Sequence, residues 1–149
     1  MYALEGSTRS GGYGRASSRP VVYIFDTAAF LSALQLYIYG GEIVAPPAVV
    51  QEVKDSESVS RLEIALTVDR FRVEEPSRQS VEKAMRAALS IGLSDKLSQA
   101  DLEVVALALE YRSRGYRPVV FTDDYDVQRV LKSVGIEYKP VKNLGIDKR

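Results

Sequence analysis

The stretch PVVFTDDYDVQRVL (residues 118–131) passes from a run of apolar residues, through closely spaced acids, into a helical pattern. The apolar run predicts a short strand buried on both faces. Val127, Val130 and Leu131 recur at helical spacing and predict an amphipathic helix over residues 124–134. A buried strand followed directly by a helix is typical of a parallel sheet, in which sites form beyond the carboxyl ends of the strands.

The same alternation of strands and helices runs through the chain from Pro20. Strands are predicted at 21–25, 42–45, 71–75, 118–122 and 136–140. Helices are predicted at 27–39, from Pro46-Pro47 onward, at 77–90, 99–114 and 124–134, with a connector over 89–98. We therefore expect one α/β domain over residues 20–149. Residues 1–19 are rich in Gly, Ser and Arg, and we expect a flexible basic tail or an expression remnant there.

The composition restricts the chemistry that this chain can perform. It contains no histidine and no cysteine, which excludes thiol nucleophiles, zinc–thiolate sites and Ser-His-Asp catalysis. Any metal site must use oxygen ligands, which favour Mg²⁺ or Mn²⁺ over zinc or copper. The net charge is zero, so no global attraction to nucleic acid is evident. No apolar run has the length of a membrane span or a secretory signal, so we expect a cytoplasmic protein without membrane partners.

Acids stand where the predicted strands end or the following helices begin. They are Asp26, Glu52, Asp101, Asp123 and Asp124. Each one alone is explained equally well as a helix cap or a surface acid. Helical phase favours an inward position for Asp123 and Asp124 and leaves Asp126 to solvent. The Thr-x-Asp spacing favours Asp124 as a metal ligand, whereas its direct exit from the strand favours Asp123.

If these acids converge, their mutual repulsion needs compensation. Two carboxylates about 4 Å apart repel by roughly 4 kcal/mol at an effective dielectric constant near 20. Bound divalent cations reverse this penalty, and the alternative is strongly raised pKa values. Paired metal ions of this kind support phosphodiester hydrolysis without histidine. The pattern therefore predicts a Mg²⁺ or Mn²⁺ site at one edge of the sheet.

Four motifs together resemble the PIN domain, a family of metal-dependent ribonucleases. They are VVYIFDTAAF with Asp26, APPAVVQEV with Glu52, LSQADLEVVALALE with Asp101, and FTDDYDVQRVL with Thr122, Asp123 and Asp124. The resemblance implies a three-layer α/β/α fold with a central, mostly parallel sheet of about five strands. It also implies a Mg²⁺- or Mn²⁺-dependent endoribonuclease in which these acids hold the metal and Thr122 supports the site. Gln128 is expected to contact RNA or a neighbouring acid.

Within that family, TDDYDVQRVLKSVGIEYKPV resembles the Nob-type endonuclease that matures small-subunit rRNA. In that type a zinc ribbon usually follows the PIN domain, and residues 1–149 contain no cysteine to build one. The expected partners are RNA such as an rRNA precursor, a ribosomal subunit and a second copy of the chain. One alternative resembles VapC toxins, which pair with an antitoxin. Another is a non-catalytic RNA-binding module of ribosome assembly.

Overall fold

A central sheet of five parallel strands organises the computed structural model, which describes residues 19–36, 42–56, 60 and 71–148. The strands are β1 (Val21–Phe25), β2 (Ile43–Ala45), β3 (Arg72–Val73), β4 (Arg117–Phe121) and β5 (Glu137–Lys139). Their order across the sheet is β3-β2-β1-β4-β5. Every neighbouring pair is parallel, so all the carboxyl ends lie at one edge. The expectation of a mostly parallel sheet of about five strands is confirmed.

Helices connect the strands and cover the sheet. The α-helices are α1 (Thr27–Leu36), α2 (Pro47–Asp55), α3 (Arg78–Ser90), α4 (Gln99–Ser113) and α5 (Tyr125–Ser133). Helix α4 packs on β1 and β4 and contacts the other helices α2, α3 and α5. Helix α1 contacts β1, α2 and a 3₁₀ helix at Val141–Lys148. Among the described residues, none of the helices has the length and apolar character that crossing a membrane requires.

The strands are buried because their side chains are apolar on both faces. Val22, Ile24 and Val120 are fully buried, as expected for central strands covered on both sides. The aromatic rings of Phe25 and Phe121 pack edge to face at 5.7 Å between centroids. This contact lies at the last residue of β1 and of β4, which are in register. Packed aromatic side chains therefore lie directly beneath the carboxyl edge of β1 and β4.

The described elements follow the predictions with local differences. The strand predicted at 71–75 contains only Arg72–Val73, and the helix predicted at 27–39 is described to Leu36, beyond which residues 37–41 lie outside the description. The connector predicted at 89–98 contains a 3₁₀ turn at Ser94–Lys96. The 3₁₀ helix after β5 was not predicted, because its sequence has no clear helical period. Residues 1–18 of the predicted tail also lie outside the described part.

Candidate active site

The order in which strands are added to the sheet reverses between β1 and β4, and this reversal leaves a crevice at their carboxyl ends. The chain places β2 and β3 on one side of β1, and then returns to add β4 and β5 on the other side. Crevices at such switch points, outside the carboxyl ends of the strands, are where α/β sheets bind ligands. Asp26 directly follows β1, and Thr122, Asp123 and Asp124 directly follow β4. The two strands that flank the crevice therefore bring their acids to the same place.

Asp26 is the most buried acid at this edge, with only 9% of its surface exposed. Its carboxylate accepts a hydrogen bond of 2.8 Å from the backbone N–H of Ala29, in the manner of a helix cap for α1. Burial raises the pKa of Asp26, and the carboxylates of Asp101 and Asp123 raise it further. Hydrogen bonds from the Thr122 hydroxyl and from Ala29 act in the opposite direction. A buried carboxylate near two others is costly when it is charged.

Asp101 reaches the same edge from the start of helix α4. It forms a capping box with Ser98: the Ser98 hydroxyl accepts from the Asp101 N–H at 3.1 Å, and the Asp101 carboxylate accepts from the Ser98 N–H at 3.0 Å. Burial raises the pKa of Asp101, as do the nearby carboxylates of Asp124 and Glu52, whereas the bonds with Ser98 lower it. The capping interpretation is therefore correct for Asp101, and the same side chain faces other acids.

Thr122 links the two sides of the crevice through one buried hydroxyl group. The residue is fully buried, and its hydroxyl donates to Asp26 while it accepts the backbone N–H of Asp124 at 3.1 Å. Asp124 caps helix α5, because its carboxylate accepts from the N–H groups of Asp126 and Val127. Thr122 therefore fixes the distance between a buried acid after β1 and the first turn of the helix after β4.

Asp123 and Glu52 complete the set from two further directions. The Asp123 carboxylate accepts a hydrogen bond of 2.8 Å from the N–H of Val141, at the start of the C-terminal 3₁₀ helix. Glu52 on α2 accepts a hydrogen bond of 2.6 Å from the hydroxyl of Thr27, the first residue of α1. The pKa effects on Asp26 and Asp101 connect both acids to the rest. All five predicted acids thus border one edge of the sheet.

No basic side chain neutralises this group in the part of the chain that the structure describes. The ion pairs found there involve other acids, namely Glu42, Glu74, Glu110 and Glu137. Over the same residues, no three acidic side chains stand close enough together to hold one metal ion. The acids are therefore near enough to affect one another's pKa, but in the described residues no three of them surround a single metal position. Each acid is held by hydrogen bonds from its own element.

Two details differ from the expectations. Asp123 and Asp124 are exposed and Asp126 is half-buried, which reverses the predicted burial. The phase argument failed because α5 begins only at Tyr125, so helical periodicity does not extend back to the acids. The Gln128 amide donates a hydrogen bond of 2.9 Å to the carbonyl oxygen of Thr122, a backbone group rather than an acid, and its expected contact with RNA stays a prediction. Gln128 therefore braces the strand end that carries the acids.

Of the two residues that orient acids of the site, one was missed at the level of sequence. Thr27 orients Glu52, and Ser98 orients Asp101. Ser98 was visible as a cap because it stands three residues before Asp101. Thr27 had no comparable signal, since its partner lies 25 positions away along the chain.

The chain is similar in sequence to known ribonucleases. Residues 23–111 match a family model described as the PIN domain of ribonuclease. The chain is 39% identical over 133 residues to the ribonuclease VapC3 of Aeropyrum pernix, covering 89% of this chain and 92% of that protein. It is 38% identical over 125 residues to the endoribonuclease Nob1 of Pyrococcus abyssi, covering 84% of this chain and 71% of that protein. The Nob1 protein of Archaeoglobus fulgidus is 35% identical, with 85% of this chain and 72% of that protein covered.

Solved structures show the same fold at low sequence identity. The structure of VapBC-1 from nontypeable Haemophilus influenzae matches with a TM-score of 0.54 at 15% identity, covering 81% of this chain and 98% of the matched chain. VapBC2 from Rickettsia felis, bound to a DNA fragment from its promoter, matches with a TM-score of 0.56 at 13% identity, covering 80% and 98%. These matches support the α/β/α arrangement that the sequence predicted.

Proposed function

Because this chain belongs to the PIN domain family of ribonucleases, we propose that it is an endoribonuclease that hydrolyses RNA phosphodiester bonds at the carboxylate edge of its sheet. The observation that carries the proposal is the group of five acids without a basic partner among the described residues. Structural stability does not require such a group, since like charges at one edge cost free energy. A charged ligand of opposite sign explains why they are placed together.

The donor set fits a hard divalent cation such as Mg²⁺ or Mn²⁺. It consists of carboxylates and one hydroxyl, without nitrogen or sulfur ligands. The hydrogen bonds to Glu52, Asp123 and Asp124 from the described residues engage a single oxygen of each carboxylate, which leaves the second for a ligand. We assign Asp26, Asp101 and these three acids as the residues that would hold the cation. When bound, the cation supplies Lewis-acid chemistry for the addition of water to the phosphodiester.

The protein itself contributes position and charge. Thr122 and the Ala29 N–H keep the buried Asp26 carboxylate at the floor of the crevice. Hydrogen bonds from Ser98 and Thr27 hold the side chains of Asp101 and Glu52 in place. These two carboxylates therefore do not have to be ordered when a ligand binds. Asp123 and Asp124 are exposed at the rim, where both are open to substrate and solvent. Their exposure supports either acid at the end of β4 as a ligand.

The proposal is tested by measuring cleavage of a fluorescent single-stranded RNA with Mn²⁺, Mg²⁺ or EDTA. Wild-type protein is expected to cleave only with a divalent ion, and Asp101→Asn is expected to lose at least about 100-fold in rate. The matched control is Asp95→Asn, which removes an exposed acid from the 3₁₀ turn just before α4. Activity in EDTA, or equal activity in wild type and Asp101→Asn, would refute the proposal.

A second measurement detects the metal site without catalysis. Mn²⁺ is expected to raise the melting temperature of wild-type protein, because it binds the folded state. The rise should be smaller at pH 5 than at pH 7.5, since the raised pKa values of Asp26 and Asp101 make protons compete with the ion. Asp101→Asn should reduce the rise while Asp95→Asn preserves it. A non-catalytic RNA-binding module would show no such rise.

Within this activity we propose a role in rRNA processing. Support comes from the likeness to the Nob1 endoribonucleases and from the TDDY…Q stretch at residues 122–128. The second candidate is a toxin ribonuclease, favoured by the VapC3 relative that aligns over 92% of its length. Incubation with a small-subunit rRNA precursor and with total tRNA separates the two. A discrete cut in the precursor alone supports processing, whereas tRNA cleavage and a neighbouring gene for a small DNA-binding antitoxin support the toxin.

A further inference from the structure

A groove of about 370 Å³ runs along helix α5 beside the carboxylate edge. We call it the α5 groove, and its walls carry Tyr125, Gln128, Arg129, Lys132 and Tyr138. None of the groove's lining residues is acidic. From Tyr125 to Lys132 the helix rises roughly 10 Å at 1.5 Å per residue. This length suits about two or three nucleotides of a single strand at a stacked spacing of 3.4 Å.

The positive charges in the groove are not neutralised within the described residues. Neither Arg129 nor Lys132 takes part in any of the ion pairs there. A second cavity, of about 320 Å³, has Arg19, Arg112 and Arg117 in its lining but differs in this respect. In that cavity, Glu137 accepts two hydrogen bonds of 3.0 Å from the Arg117 guanidinium, and Arg112 donates to the Val134 carbonyl oxygen. The α5 groove therefore offers two cations without an acidic partner among the described residues.

The groove also presents an aromatic surface next to the acids. Tyr125 follows Asp124 directly and is 70% exposed, which is unusual for a large aromatic side chain. The guanidinium of Arg129 lies 5.9 Å from the centroid of its ring, one helical turn further on. Gln128 joins the groove to the crevice, because it donates to the Thr122 carbonyl oxygen and Thr122 donates to Asp26. The ring and the cations thus lie on the helix that Asp124 caps, and hydrogen bonds connect that helix to the acids.

We propose that the α5 groove binds the unpaired RNA strand that leaves the carboxylate edge, with a base stacked on Tyr125 and phosphates held by Arg129 and Lys132. This inference rests on the proposed ribonuclease function and adds to it the surface that holds the RNA strand beside the cleaved bond. Stacking on an exposed aromatic ring requires an unstacked base but tolerates any base identity. The groove therefore selects single-stranded RNA beside the cleaved bond without reading its sequence. An A-form duplex would keep its bases stacked on one another and away from Tyr125.

The first test measures binding to a fluorescent ten-nucleotide RNA in EDTA, so that affinity is read without cleavage. Arg129→Ala/Lys132→Ala is expected to lower the slope of log affinity against log salt by about 1.4, since two phosphate contacts to a single strand are lost. The matched control is Lys83→Ala/Arg86→Ala, which removes two exposed cations at the same spacing from helix α3. The control pair is expected to leave the slope unchanged.

The second test separates stacking from charge. Tyr125→Ala is expected to weaken binding of the single strand by about 5-fold or more, whereas Tyr125→Phe keeps the ring and the affinity. Binding of a blunt RNA duplex of the same sequence should not change in either variant. In cleavage assays Tyr125→Ala should raise KM more than it lowers kcat. The Mn²⁺-induced rise in melting temperature should stay at the wild-type value, because Tyr125 does not hold the ion.

The outcomes distinguish this inference from the proposed function. If the wild type cleaves RNA with Mn²⁺ but all the α5-groove variants bind and cleave like it, the groove proposal is overturned and the ribonuclease stands. If the groove variants lose affinity for the single strand but no RNA is cleaved, the groove stands and the activity falls. If Arg129→Ala/Lys132→Ala alters the mass in light scattering and leaves RNA affinity intact, the groove is a protein interface and the proposal is wrong.

Discussion

Replacing Thr122 with valine removes one buried hydroxyl group and keeps the shape of the side chain. The hydroxyl donates to the Asp26 carboxylate and accepts the Asp124 N–H at 3.1 Å. A hydrogen bond to a charged group contributes about 1.5–3 kcal/mol, and one between neutral groups about 1 kcal/mol. Water can replace the partner of the exposed Asp124, so most of the second contribution is recovered. We expect Thr122→Val to lower the free energy of unfolding by about 2–3 kcal/mol at pH 7 in EDTA.

The cost should depend on pH in a direction that the structure specifies. Burial raises the pKa of Asp26, and the Thr122 hydroxyl opposes this rise. Without the hydroxyl the pKa of Asp26 rises further, so the variant loses most stability at pH values where Asp26 is ionised. The stability gap between wild type and Thr122→Val is therefore full at pH 7. It shrinks as the pH falls through the raised pKa of Asp26 toward 4.

Urea unfolding at steps from pH 7 to pH 4 measures this gap. Thr122→Ser is the matched control, because it retains the hydroxyl and loses a methyl group at a cost of about 1 kcal/mol. That cost should be the same at every pH, since a methyl group does not interact with the charge. A gap for Thr122→Val that is constant with pH, or equal losses in the serine and valine variants, would show that the hydroxyl does not support Asp26.

Three further substitutions test other parts of the site and its frame. Asp101→Asn is expected to raise the free energy of unfolding by about 1 kcal/mol at pH 7 in EDTA, because burial and nearby carboxylates raise the pKa of Asp101 and the asparagine side-chain oxygen can still accept from the Ser98 N–H. The gain should vanish at acid pH, and a destabilised variant in urea would contradict it. Ser98→Ala should lower the free energy of unfolding by about 1 kcal/mol and also reduce RNA cleavage. Ser77→Ala removes the equivalent cap of α3 and should lower stability alone, and urea unfolding and cleavage rates compare the two variants. Gly135→Ala should cost about 1–2 kcal/mol in urea unfolding, because φ is +76° after α5; an unchanged midpoint would refute the strain.

The strands and the positions of the acids were predictable because both depend on local patterns. VVYIF and PVVF are continuous apolar runs, and parallel strands bring their carboxyl ends to one edge. A parallel sheet therefore had to bring Asp26 and the pair after β4 to the same edge, and the pairing of β1 with β4, which the sequence did not predict, brings them near each other. The cap formed by Ser98 and Asp101 was equally visible, since it spans three residues.

The hydrogen bonds that orient the acids were not predictable in the same way. Thr27 and Glu52 are 25 positions apart, and Val141 and Asp123 are 18 apart, so no local pattern connects either pair. The burial of Asp123, Asp124 and Asp126 was predicted incorrectly, because a helical period was extended across a capping residue. A cap has non-helical backbone angles and resets the phase, as the ψ of 117° at Asp124 shows. Phase arguments hold only inside a helix.

The two outer strands of the sheet have a consequence for the behaviour of the protein at high concentration. An outer strand exposes unpaired N–H and C=O groups, on which another chain can add its own strand and begin to aggregate. Here β3 has two residues and β5 has three, with Glu137 and Lys139 exposed on β5. Such short, charged margins leave little template for intermolecular pairing. We therefore expect concentrated protein to refold after dilution from urea without precipitating.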